Sequence, residues 1–218
     1  MKTVAQCVEE VLANQSFLEE VLSREIINYS ALAKDLRPTI SQMLRKEVQT
    51  GAVMMALRRY RVPSGVSSSP KLKETLNRLG DITVKSNVCA FTFKNSMTLI
   101  QSNSGLLEKI GDINQLFYAF SCGTTESNLM ISGSEKALVE TSFKKENLTH
   151  FRDNLSAVSL KLPQDNYKIT GLYYQIFKNL AWNGIAVYDV VSTTNEFIAL
   201  INDDVVDKAF SVIKNLKK

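Results

Sequence analysis

Between residues 81 and 216 the apolar and polar positions run through one order of patterns twice, about 70 residues apart. In the first pass, residues 88–93 alternate into a strand, residues 96–110 carry Leu99, Leu106 and Ile110 at helical spacing, and residues 116–120 form a second strand. Cys122-Gly123-Thr124-Thr125-Glu126 marks a turn, Leu129-Met130-Ile131 a third strand, and Glu135-Lys136-Ala137-Leu138 opens a second helix. In the second pass, residues 157–162 are the strand and Leu172, Ile176 and Leu180 the helical stripe. Asn183-Gly184 stops that helix, because glycine supplies a left-handed cap. Residues 185–191, the turn Val191-Ser192-Thr193-Thr194-Asn195-Glu196, the run Phe197-Ile198-Ala199-Leu200-Ile201 and Asp207-Lys208-Ala209-Phe210 complete the pass. Each copy predicts β-α-β-β-α, with antiparallel strands and both helices on one face.

Ahead of the repeat the spacing is helical throughout. Val4, Val8, Val11 and Leu12 make one stripe and Phe17, Leu18, Val21 and Leu22 another. Ser30 is a candidate cap for a helix bearing Leu32, Ala33 and Leu36. Pro38 suits the first turn of a separate helix with Ile40, Met43 and Leu44, and Thr50 caps a last one with Val53, Ala56, Leu57 and Tyr60. Four or five short helices are expected. Pro63-Ser64-Gly65-Val66-Ser67-Ser68-Ser69-Pro70 reads as a linker, followed by a short helix at residues 71–79 with Leu72, Leu76 and Leu79 on one side and Gly80 as its stop. The predicted organisation is an all-α domain (1–62), a linker with connecting helix (63–80) and two repeat modules (81–150 and 151–218), an α+β chain.

Composition narrows the chemistry. The three cysteines, Cys7, Cys89 and Cys122, have no C-x-x-C spacing, which argues against a disulfide framework or a structural metal. His150, the single histidine, falls in the polar stretch 144–154 and reads as a solvated connector residue. No phosphate-binding glycine loop, zinc-protease or hydrolase motif occurs, so neither a catalytic role nor a cofactor or metal is expected. No apolar run is long enough for a membrane span and no signal-peptide core follows Met1, which makes a cytoplasmic protein the default expectation. Charge divides unevenly within the helical segment. Up to Ala33, Lys2 and Arg24 stand against Glu9, Glu10, Glu19, Glu20 and Glu25, whereas residues 34–61 set Lys34, Arg37, Arg45, Lys46, Arg58, Arg59 and Arg61 against Asp35 and Glu47.

Tyr29-Ser30-Ala31-Leu32-Ala33-Lys34-Asp35-Leu36, followed by Thr50-Gly51-Ala52-Val53-Met54-Met55-Ala56-Leu57-Arg58-Arg59-Tyr60, resembles the helix-turn-helix of winged-helix regulators. The resemblance implies DNA as a partner, with Lys46, Thr50, Arg58, Arg59 and Arg61 at the nucleic acid. The segment 37–49 between the two helices departs from that pattern, being longer than the usual turn and expected to hold a helix of its own. Cations at 58–61 also suit a helix C-terminus with no DNA involved, so a docking or dimerisation domain stands beside the DNA reading.

The repeat resembles tandem ACT domains, ferredoxin-like amino-acid-sensing modules, and most closely the paired regulatory domains of aspartate kinases. The second copy carries the likeness in the segment from Gly171 through Ala181, in Asn183-Gly184-Ile185, and in Asp203-Asp204-Val205-Val206-Asp207-Lys208-Ala209-Phe210. The resemblance implies an amino-acid ligand held by the loop between the first strand and first helix. That loop offers Asp165, Asn166, Ile169, Thr170, Gly171 and Leu172 in the second copy and Asn95, Ser96 and Met97 in the first. It also implies homodimerisation or a higher homo-oligomer, for which Tyr173, Phe177 and Trp182 read as core or interface. The strand completing each sheet is left open, with residues 82–85 able to return to the other copy. Two function classes follow: a non-catalytic, ligand-responsive DNA-binding regulator, or an interaction subunit that senses the same kind of ligand and docks on a protein.

Overall fold

The computed structural model describes residues 2–15, 18, 21–22, 25–61, 70–111 and 115–217. Phe17 and the linker residues 63–69 lie outside the described residues. The chain divides into two compact units, Met1–Pro70 and Lys71–Lys218.

In the first unit, α1 (Val4–Ala13) opens on a capping box in which Gln6 N donates to Thr3 Oγ1 at 3.3 Å and Thr3 N to Gln6 Oε1 at 2.9 Å. α2 (Tyr29–Leu44) is capped by Asn28, whose Oδ1 accepts from the Ser30 and Ala31 amides, so Ser30 is a helical residue and not the expected cap. α2 runs unbroken through Pro38, where two helices were expected. An interior proline costs about 3 kcal/mol. The buried stripe Leu32, Ala33, Leu36 and Ile40 outweighs it, at about 1.5–3 kcal/mol for each large side chain. Arg45, in the left-handed region at φ 52°, ends α2, and Gln49 precedes α3 (Thr50–Arg59). Thr50 is the first residue of α3 and caps nothing. Cys7, Val8, Leu12, Leu36, Ile40, Val53 and Leu57 join the helices in one core.

The second unit begins with α4 (Pro70–Asn77), too short to be stable alone. Leu72 and Leu79 hold it by entering the core of the second copy, and Leu76 packs beside them. The strands are β1 (Ile82–Lys94), β2 (Tyr118–Cys122), β3 (Glu126–Ser132), β4 (Leu148–Lys161), β5 (Asp189–Thr193) and β6 (Glu196–Asn202). The helices are α5 (Leu99–Leu107), α6 (Lys136–Ser142), α7 (Leu172–Trp182) and α8 (Val206–Lys214). All six strands form one antiparallel sheet in the order β2-β3-β1-β4-β6-β5.

The two central strands are shared between the copies. Val88–Lys94 of β1 pairs with β3 in the first copy, while Ile82–Lys85 pairs with residues 157–160 of β4 in the second. β4 does the reverse, pairing through residues 148–152 with β1 and through residues 155–161 with β6. Each copy therefore gains a fourth strand from the other, the return suggested for residues 82–85, and position 150/151 falls inside β4. Val88 faces Leu155 at the centre, next to register shifts and to Asn87 and Asn154, both at φ 55°. These matched bulges bend both strands at the same level.

Both faces of the sheet are buried along residues 88–90 of β1 and 155–158 of β4, whereas residues 83–87 of β1 and 148–154 of β4 are exposed. Cys89, Phe91, Phe93, Leu129 and Ile131 pack under α5 and α6, and Val158, Leu160, Phe197, Ala199 and Ile201 under α7 and α8. The alternate positions Val88, Ala90, Met130, Leu155, Ala157, Ile198 and Leu200 form a separate cluster on the opposite face. Asn128 of β3 donates to Asp189 of β5 at 2.9 Å, although four strand-to-strand steps separate them in the sheet order. In a flat sheet those steps span about 19 Å. The sheet thus folds across its centre, pressing its two halves together with helices outside.

β2 and β5 begin two to four residues later than the apolar runs 116–120 and 185–191 suggested. Leu116 and Ile185 instead plug the cores from the preceding loops. At Ile185 the chain leaves α7 through a Schellman turn, with Ile185 N donating to Leu180 O at 3.0 Å and Gly184 N to Ala181 O at 2.9 Å, Gly184 standing at φ 68°.

Candidate functional site

The loop from Leu162 to Gly171 is tied down by one side chain. Asn166 is 5% exposed, and its amide donates to Pro163 O at 2.7 Å and Thr194 O at 2.6 Å, lacing the loop to the β5–β6 turn. Leu172 is fully buried and Ile169 packs on the same core, so both position the loop. Gly171 stands at φ 90° as the residue before α7, in a conformation that costs other residues about 1–2 kcal/mol. No side chain caps α7, which leaves its first-turn amides to a partner from elsewhere. Thr170 and Tyr167 face solvent.

Asp165 is the charged member of this loop whose hydrogen bonding is incomplete. Its Oδ2 lies 3.5 Å from Arg78, just past α4, whereas its Oδ1 is buried and accepts no hydrogen bond. The side chain as a whole is 47% exposed, so a cation or N–H from a ligand can reach the carboxylate.

The first copy solves the same local problem with its own atoms. Asn95 donates to Gly123 O at 2.8 Å and accepts from Ser127 at 2.6 Å, repeating the lacing role of Asn166. The loop that follows spans only residues 95–98. Where α5 starts, Glu146 accepts hydroxyl hydrogen bonds from Ser96 (2.6 Å), Ser102 (2.7 Å) and Thr98 (2.9 Å). Burial pushes the Glu146 carboxyl up, and the three hydroxyls together outweigh that push, so its pKa lies below the ordinary glutamate value. Met97 is fully exposed. Of the residues expected to bind a ligand here, Asn95 and Ser96 are engaged within the protein. Glu146 gave no sequence signal, since its hydroxyl partners lie 44–50 residues away.

In the helical unit, Lys46, Arg58, Arg59 and Arg61 are exposed and Thr50 is half-buried. Arg58 lies over the Tyr29 ring at 6.0 Å and Arg37 is 4.0 Å from Glu47. The outward positions of α3 ahead of the arginines are Gly51, Ala52 and Met55. No base-reading side chain stands among them.

His150 lies in β4 opposite Thr92, exposed, and not in a connector as expected. Among the described residues no three His, Cys, Asp or Glu side chains gather as a metal site, and no helix is long and apolar enough to cross a membrane. On α7, Tyr173 and Phe177 each pack 5.6 Å from Phe197 with their outer edges exposed, and Trp182 is 79% exposed.

No protein-family model matches the chain, and no curated protein matches it in sequence. Solved structures do match its fold. The regulatory subunit of aspartate kinase from Thermus thermophilus, in ligand-free form, superposes with a TM-score of 0.53 at 6% identity, over 64% of this chain and 99% of that one. The aspartate kinase of Clostridium acetobutylicum gives 0.53 at 16% identity, over 63% of this chain and 34% of the enzyme. That of Synechocystis gives 0.52 at 11% identity, over 77% and 30%. The chain therefore spans about a third of the length of those full enzymes and shares the fold of the regulatory subunit.

Proposed function

We propose that this chain is a non-catalytic sensor of a free amino acid, bound by the second copy at residues 163–171. The observation that carries the reading is Asp165, with an acceptor oxygen buried and unpartnered in the loop that leads to the uncapped start of α7. An α-amino acid presents an ammonium and a carboxylate side by side. Asp165 Oδ1 is chemically matched to the first and the α7 amides to the second, while Gly171 lets the ligand approach the backbone. Support for a sensing role comes from the fold shared with an aspartate kinase regulatory subunit. The first copy is a weaker candidate, because Glu146 already places a carboxylate at the start of its helix.

A thermal-shift screen against the twenty amino acids tests this directly, since a ligand that binds only the folded chain at a hundred times its Kd adds about 2.7 kcal/mol of stability. We expect a selective rise that Asp165→Asn removes. No rise with any amino acid, or a rise that survives both Asp165→Asn and Gly171→Ala, defeats the proposal. The exposed aromatic edge of α7 supports a homodimer, checked by sedimentation of wild type against Trp182→Ala.

For the helical unit, the small, apolar outward positions Gly51, Ala52 and Met55 favour docking on a protein surface. The exposed Arg58 and Arg59 support the second reading, a ligand-responsive DNA-binding regulator. That reading expects salt-sensitive DNA binding lost on Arg58→Ala with Arg59→Ala; affinity at the non-specific level and indifferent to that change leaves docking.

A further inference from the structure

A cleft of about 440 Å3 lies between α5 and the end of α6 in the first copy, and it shares no residue with the loop at 163–171. Among the described residues, Lys109, Lys144 and Lys145 line it against a single carboxylate, Glu146. Among the described residues none of the three ammonium groups lies within 4.0 Å of a carboxylate. Glu146 is engaged by the hydroxyls of Ser96, Thr98 and Ser102, and the Thr141 hydroxyl donates to Ala137 O at 2.8 Å. The donors left to the cleft are the three lysines, the Gln101 amide and the Ser142 hydroxyl, which sits 3.5 Å from Lys109.

We propose that this cleft binds a phosphomonoester of a small metabolite. Three cations against one anion leave an excess of two positive charges. A phosphomonoester carries about 1.5–2 negative charges near neutral pH and three strongly accepting oxygens, which matches that excess and the donor count better than a monocarboxylate does. The volume lies within the range of about 300–1,000 Å3 usual for small-molecule sites and exceeds what inorganic phosphate fills, so the ester group has room.

Calorimetric titration of the full chain at fixed ionic strength, with ribose 5-phosphate, glycerol 3-phosphate, inorganic phosphate and unphosphorylated ribose, tests the assignment. Saturable binding of at least one ester, tighter than inorganic phosphate and absent for ribose, is expected. The exposed pair change Lys144→Ala with Lys145→Ala is expected to weaken it at least about tenfold. Glu146→Gln, which removes the opposing charge, is expected to tighten it. No saturable ester binding, equal affinity for ester and inorganic phosphate, or an affinity unmoved by the lysine pair change would each overturn the proposal. Asp165→Asn is expected to leave phosphoester binding intact, so the amino-acid reading and this one stand or fall separately.

Discussion

The two copies share strand order, helix placement and an asparagine that laces the first loop to the opposite hairpin, yet they surround the start of their first helix differently. In the first copy a four-residue loop brings the Ser96 and Thr98 hydroxyls onto Glu146 and the first turn of α5 adds that of Ser102, so the protein supplies its own carboxylate. In the second copy a longer loop leaves the start of α7 uncapped and strands an oxygen of Asp165 without a donor. Neither helix has a side-chain cap, so the copies differ in the carboxylate beside the helix start: Glu146 is held by three hydroxyls, whereas one oxygen of Asp165 has no donor from the protein.

The largest effect belongs to what the copies share. Leu155→Ala, fully buried at the central crossing, is expected to cost about 2–5 kcal/mol and to leave one unfolding transition for residues 71–218. Two separate transitions in denaturant, one per copy, would show that the exchanged strands do not couple them. Asn166→Ala removes two hydrogen bonds from a buried amide, with an expected loss of about 1–3 kcal/mol, and Asn95→Ala, at an exposed position, is expected to cost less. Gly171→Ala is expected to cost about 1–2 kcal/mol through its positive φ and to blunt amino-acid binding.

A smaller effect is a pH signature carried by the first copy alone. Glu146 has a folded-state pKa below its unfolded value, so its contribution is present in full above the ordinary glutamate range and is lost as pH falls through the folded value. The stability gap between wild type and Glu146→Gln, followed by denaturant titration, should close on acidification. A gap that stays constant with pH removes the charge-based account. Last, thiol labelling of the native chain should mark Cys122 first, since Cys7 and Cys89 are buried and burial also raises the Cys89 pKa.

How much of this was legible beforehand follows from the range of the interactions. The repeat and the glycine stop after α7 rest on local periodicity or on a pattern present twice, whereas the return of residues 82–85 to the second copy was open in the sequence and suggested only by the resemblance to aspartate kinases. The doubly buried sheet also had a signal, the unbroken apolar runs 129–131 and 197–201, which read as strands without revealing that both faces are covered. Helix α2 was split at Pro38 because the energy that carries it through comes from tertiary burial of Leu36 and Ile40. Asp165 was legible as a loop residue, but its partner Arg78 is 87 residues away. Glu146 sits in the plain charged string Lys144-Lys145-Glu146-Asn147 and becomes informative only when distant hydroxyls arrive.

The strand exchange also imposes a schedule on the ribosome. Ile82 cannot find its partner until Leu160 has been made, and at about 5–20 residues per second that wait lasts roughly 4–16 s. During it the nascent β1 displays Val88, Ala90, Phe91 and Phe93 with one edge unsatisfied. The first half therefore emerges as an incomplete sheet, with an edge that only the later synthesis of β4 closes.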